Sequence, residues 1–334
     1  MVFTVRRLPP NAFGFVMASG IVSLALHLNG WDLASVLLAG IAVGGLIVLA
    51  ILYVWRFISF RNEFLRDAAD PRRAFGYLTI VAGLNVVGVL LYSPHAPLVT
   101  IILAVISVPI WLVLNYGIPA TLMLREHESP VAASVDGSWF LWVVATQSLA
   151  DVAAVLGAGH DSRALAAIAV GLWGIGVFLY VMLSTLVTLR LLSARSEATT
   201  LSPNYWIFMG ATAITVLAGS HIMALPAGLP VMAVMGHVVG GLTYLLWAFG
   251  LWWVPLLVIF GVWRHLVRRH PLRYESGLWS IVFPLGMYSA ASLYYGEVAE
   301  LSIVHSIGTV GTWVAAAAWL IVAALMGAAA FRRA

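Results

Sequence analysis

Two stretches of this 334-residue chain, Gly76 to Leu124 and Ala198 to Trp263, contain no aspartate, glutamate, lysine or arginine. Few folds can hide apolar runs of that length. About 20 apolar residues carry a helix across a bilayer core, whereas a membrane barrel would show apolar and polar residues alternating. The runs here are continuous, so the chain reads as an all-α membrane protein. All seventeen basic residues are arginine, and sixteen fall in alternate loops or at the termini. Arg6 and Arg7 precede the first apolar span; Arg56, Arg61, Arg66, Arg72 and Arg73 follow the second, and Arg125 the fourth. Arg190 and Arg195 follow the sixth, Arg264, Arg268, Arg269 and Arg273 the eighth, and Arg332 and Arg333 close the chain. Arg163 alone lies on the opposite side. Short arginine-rich loops stay cytoplasmic during insertion. Both termini are therefore expected in the cytoplasm, with an even number of spans crossing the cell membrane.

The spans are expected near 11–29, 33–56, 76–93, 97–124, 138–157, 163–192, 203–225, 230–265, 276–296 and 301–331. The first could be mistaken for a cleavable signal, since Ser23-x-Ala25 is a passable cleavage pattern. It shares the character of four later segments, however, and is kept as a span. The outer links are short: Pro94-His95-Ala96, Gly157 to Ser162, and Pro226 to Pro230. Each odd span should therefore form an antiparallel hairpin with the even span after it. Odd spans recur every 62 to 73 residues, which points to an internal repeat of five hairpins within a single domain.

The two members of each hairpin differ. Even spans are greasy and run into arginine, as in ILYVWRFISFR and LVTLRLLSAR. Odd spans are broken by small and polar residues, as in FGFVMASGIVSLALH, WVVATQSLADVAAVLG and WSIVFPLGMYSAASLYYG. Small residues allow close helix packing, which accounts for any one of them. Five alternate helices sharing the bias favour an inner ring in quasi-five-fold arrangement, with odd helices around an axis and even helices against lipid. A plain packed bundle is the alternative.

Composition closes other routes. Charged residues make up 9% of the chain, against about 25% in soluble domains. The net charge of +4 reflects loops facing anionic lipid, and no nucleic-acid partner is expected. Without cysteine there are no disulfides, thiolate metal sites or thiol chemistry. Without lysine there is no phosphate-binding Gly-Lys loop, and no Gly-x-Ser-x-Gly elbow occurs. Nine histidines invite a haem reading, but no span pairs two of them at i,i+3 or i,i+4. No cofactor or metal is expected.

Three features carry a family resemblance: Pro10-x-x-Phe13-Gly14 followed by Val16-Met17-Ala18-Ser19-Gly20-Ile21; Phe283-Pro284-Leu285-Gly286-Met287-Tyr288 followed by Ser289-Ala290-Ala291-Ser292; and ten spans as five hairpins. In these the chain resembles the tellurite-resistance/dicarboxylate transporter family, which includes plant slow-type anion channels and yeast malate and sulfite transporters. The resemblance implies a pore through each protomer lined by the five odd helices, a homotrimer, and small anions as substrates. It places Phe13, Gly14 and Met287 beside that pore and makes Phe283 its gate.

Phe283 also has a physical case. Pro284 removes a backbone donor and disfavours helical geometry at the residue before it. A kink there could push the ring into a narrow pore and exclude water; the alternative is a core phenylalanine beside an ordinary proline. Ser19, Asn85, Gln147, Thr212 and Thr215 could solvate an anion weakly, or each could be a packing contact. Asp151 is the one carboxylate deep in an apolar run, with His27 and His221 toward the outer ends of neighbouring odd spans. The three could form a pH-sensing cluster, or sit in a wet vestibule with Asp151 bridged to Arg163. The leading function is an anion channel or facilitator for chloride- or nitrate-like ions, sulfite, tellurite or four-carbon dicarboxylates. A proton-coupled carrier on the same scaffold and a membrane-embedded haem enzyme are the alternatives.

Overall fold

The computed structural model describes residues 5–126, 130–193 and 201–331; Arg195, Arg332 and Arg333 lie outside the described residues. Among these every regular element is helical: α1 (Gly14–Leu28), α2 (Asp32–Ser59), α3 (Arg61–Ala68), α4 (Thr79–Leu90), α5 (Leu98–Leu124), α6 (Leu141–Gly159), α7 (Arg163–Ser193), α8 (Ile207–Met223), α9 (Pro230–Val262), α10 (Trp279–Val298) and α11 (Ser302–Phe331). Short 3-10 turns lead into α4, α6, α8 and α10, and a π-turn, Trp263–Val267, extends α9.

Seven of these helices are long and apolar enough to cross a membrane: α2, α5, α7, α9 and α11, plus α6 and α8 taken with their leading turns. Length and composition thus do not carry all ten expected spans. α1 has 15 residues, and α4 with its turn runs only from Ala74 to Leu90. α10 is long enough at 20 residues but carries Glu297 among serines and tyrosines. α3 was not anticipated. It is a short charged helix, RNEFLRDA, and its eight residues are too few to show a repeat.

Burial sorts the helices into two classes. In an 18-residue apolar window within 137–159, 89% of residues are buried, against 22% in the corresponding windows of α2, α5 and α9 and 11% in that of α11. The second class exposes large side chains along its length, among them Leu37, Ile51, Val105, Val113, Phe178, Trp252 and Ile321. Contacts give the arrangement. α1 packs on α4, α4 on α6, α6 on α8, α8 on α10, and α10 back on α1, a closed circuit. α2, α5, α7, α9 and α11 each pack on the member of that circuit preceding them in the chain.

Small residues permit these approaches. A Cβ on Gly308 of α11 would lie 2.7 Å from the Leu293 nitrogen of α10, and one on Gly296 would lie 2.5 Å from the His305 nitrogen. The α10–α11 seam is therefore a backbone-to-backbone contact that a larger residue would force apart.

Candidate functional site

The five buried helices begin at a common collar. Ser276 Oγ, ahead of α10, donates to Asn11 Oδ1, ahead of α1 (3.0 Å). Ser280 Oγ donates to Asn204 Oδ1, ahead of α8 (3.3 Å). Gly137, ahead of α6, lies against the Asn204 backbone with no room for a Cβ, and Gly76, ahead of α4, packs on Pro10 and Asn11. Asp136 Oδ1 accepts from the Ser138 nitrogen (2.9 Å) and hydroxyl (2.5 Å) and caps the turn before α6. Desolvation pushes this carboxyl above its usual range, opposed by the Ser138 hydrogen bonds. Five helix N-termini share this end, each contributing a partial positive charge from its aligned peptide dipoles.

At the opposite end the C-terminal turns open into a cavity of about 430 Å³. All five helices contribute: Leu24 and Leu28 from α1, Val89 from α4, Val155 from α6, Leu217 and His221 from α8, and Tyr294 from α10. Asp151 of α6 is buried behind it. His221 Nδ1 meets the Asp151 carboxylate at 2.5 Å, and the His221 ring packs tilted against Tyr294, 4.3 Å between ring centres.

Between collar and cavity, four contacts fix the rotation of α10. Pro284 abuts α8, where a Cβ on Gly210 would lie 2.8 Å from its Cγ. Tyr288 Oη donates to the Trp247 carbonyl of α9 (2.8 Å). Leu293 meets Gly308 of α11, and Gly286 faces Ile21 and Val22 of α1. At ~100° per residue these four neighbours take up roughly 200° of the helix circumference. The free arc holds Phe283, Met287, Ala290 and Tyr294, at i, i+4, i+7 and i+11. Tyr294 lines the cavity, so Phe283 lies about three turns, ~16 Å, beneath it on the same face. Phe283 is 2% exposed and Met287 1%. Helix α10 continues through Pro284 without a break.

The expected polar residues mostly face other helices. Ser19 Oγ accepts from Trp319 Nε1 of α11 (2.9 Å). Gln147 Nε2 donates to the Trp173 carbonyl of α7 (3.1 Å), and its side chain covers Gly176. Thr212 donates to the Met209 carbonyl and packs on Gly250 of α9; Thr215 donates to the Ala211 carbonyl. Phe13 packs edge-on against Tyr53 of α2, 5.2 Å between ring centres, and Gly14 faces Trp279. Asn85 differs. Its Nδ2 donates to Ser148 Oγ of α6 (3.0 Å) and its Oδ1 accepts from Ser107 of α5 (2.8 Å), one turn beneath Val89. The expected titratable trio separates: His27 pairs with exposed Asp32 (2.9 Å), while Asp151 takes His221 as its partner, not Arg163.

The family model for voltage-dependent anion channels matches residues 7–326, almost the whole chain. The chain belongs to the voltage-dependent anion channel family. Over 145 residues, 43% of this chain and 73% of its relative, it is 50% identical to a membrane protein of Mycobacterium tuberculosis. It is 27% identical over 149 residues, 45% of this chain, to a transporter of Methanocaldococcus jannaschii, of which 41% is covered.

In this member of the anion channel family, arginines also tie the two classes of helix together. Arg56, at the end of α2, donates to Asp67 Oδ2 (2.5 Å) and to Tyr77 Oη (3.0 Å) in the turn before α4; Asp67 also takes Arg73 (2.6 Å). Arg190 of α7 donates to Tyr205 Oη before α8 (2.8 Å) and to the Ala133 carbonyl (3.0 Å). Arg264, after α9, donates to the Leu201 carbonyl (3.1 Å) and to Glu275 before α10 (3.0 Å). Sequence reasoning used these arginines for topology and missed this second role. The available signal was a tyrosine or glutamate just ahead of the next odd helix.

Proposed function

We propose that this chain conducts small anions down their gradient along the axis of its five-helix circuit, with the ring of Phe283 as the closure. Membership in the anion channel family implies anion transport across a membrane; the path, the gate and the direction are our reading. In it ten helices cross the cell membrane, the collar opens to the cytoplasm and the 430 Å³ cavity faces outward. The supporting observation is the rotation of α10. Its contacts with α1, α8, α9 and α11 leave Phe283 and Met287 on the arc facing the axis, beneath a residue that lines the cavity.

The chemistry of conduction then follows from what lines the path. The collar gathers helix N-termini, which attract anions without binding them tightly. Beyond it Met287 and Phe283 are apolar, and a narrow apolar section gates by excluding water. The Asn85–Ser148 pair is a buried polar contact between α4 and α6. With no fixed cation in the path among the described residues, an anion meets only weak sites and can leave them. Chloride- or nitrate-like ions, sulfite, tellurite and short dicarboxylates remain the candidate substrates.

The test is anion flux into proteoliposomes for Phe283→Ala, normalised to inserted protein. Removing the ring should let water wet the narrow section and raise flux. Unchanged or lower flux from folded protein would overturn the gate. One observation favours a second reading, a proton-coupled carrier: the Asp151–His221 pair beside the cavity places a titratable group on the path.

A further inference from the structure

We propose that the outer cavity binds a monovalent organic anion with a short apolar tail. The proposal rests on the axial path above and adds the class of molecule its outer end accepts. The wall is largely carbon, with Leu24, Leu28, Val89, Val155 and Leu217 contributing. A hydrated halide would gain nothing from that surface. Ligand sites typically combine an apolar lining with a few convergent polar groups. Tyr92, His221 and Tyr294 supply them here.

Tyr92 is the residue that points to a ligand. Its hydroxyl is buried and has no hydrogen-bond partner among the described residues. It presses on Gly159, which lines the same cavity and leaves it room only by lacking a side chain. A buried hydroxyl with no acceptor is costly, and turning off Gly159 toward a guest carboxylate oxygen would supply one. His221 is held through Nδ1 by Asp151 and braced by Tyr294, so its ring is fixed in place at the wall. The Asp151 carboxylate does not itself line the cavity. The negative charge therefore sits behind the imidazole, where it orients the ring and stays out of contact with a guest.

The experiment is calorimetric titration of the full-length protein in lipid nanodiscs with acetate, butyrate and hexanoate, and with hexanol as the uncharged control. Affinity should climb roughly fourfold per added methylene, the value of burying one CH₂. Hexanol should bind more weakly than hexanoate. Tyr92→Phe, at unchanged melting temperature, should weaken hexanoate by about tenfold or more. A flat chain-length series, hexanol binding as well as hexanoate, or a Tyr92→Phe protein that binds hexanoate like the parent would each overturn the site. The series on the parent protein decides the matter even if Tyr92→Phe fails to fold. Binding is read without flux, so the two proposals fail separately. An intact series with no flux gain in Phe283→Ala removes the gate and keeps the site, and the reverse outcome keeps the gate.

Discussion

A carboxylate at membrane depth persists only where something answers its charge. Asp151, 5% exposed, has a histidine 2.5 Å away and no arginine partner. Asparagine can keep a hydrogen bond to His221 while removing the charge. Asp151→Asn should therefore insert normally and retain substantial anion flux in proteoliposomes, whereas Asp151→Leu should lower the yield of folded protein. Complete loss of flux from folded Asp151→Asn would favour the proton-coupled carrier. The same residue shows what the sequence withheld. His27 and His221 both end buried helices and look alike by depth, yet one turns to exposed Asp32 and the other to the cavity wall. A helix buried on every side has no amphipathic stripe, so its rotation leaves no trace in residue spacing. For that reason Ser19, Gln147 and Thr212 read as lumen candidates, although their neighbours are α11, α7 and α9.

Between elements, the turns that start the buried helices carry more of the architecture than their length suggests. Arg56 is 1% exposed and joins α2 to Asp67 and to Tyr77. Removing one partner of a buried pair costs about 3–5 kcal/mol, while replacing both by apolar residues is often neutral. Arg56→Met should thus lower the melting temperature in detergent, and Arg56→Met combined with Asp67→Leu should recover much of the loss. If the double variant were no better than the single one, the buried pair would not be the cause. Gly137 is a second test. Its Cβ position is filled by the Asn204 and Tyr205 backbone, so Gly137→Ala must part the α6 and α8 starts. Overpacking of this kind costs about 1–3 kcal/mol, which melting of the purified variant would register. The apolar runs announced the helices themselves. These 3-10 turns and α3 were not legible, because three to eight residues with mixed polarity carry too few repeats to show a period.

At the scale of the whole molecule, continuous apolar runs dictated an all-helical membrane protein, and the alternation of greasy and small-residue segments anticipated two classes of burial. The count of crossings is harder, since seven helices meet the length and composition expected of a span. α1, at 15 residues, is about 22 Å long, short of a hydrocarbon core near 30 Å. Length is a demand made by lipid, however, and α1 is covered by α2, α4, α10 and α11. Non-helical backbone at membrane depth is tolerated where protein surrounds it, so the turns before α1 and α4 can complete a crossing that helix alone does not. If all ten segments cross, as we propose, the arginine-rich loops lie together on the cytoplasmic face. The chain has no cysteine of its own, so single labels are unambiguous. His95→Cys, in the short link between α4 and α5, should react with a membrane-impermeant maleimide added outside intact cells. His270→Cys, between α9 and α10, should react only after the membrane is opened. If α1 or α4 alone failed to cross while the N-terminus stayed cytoplasmic, two segments would precede His95 and seven would precede His270, and the two cysteines would exchange sides.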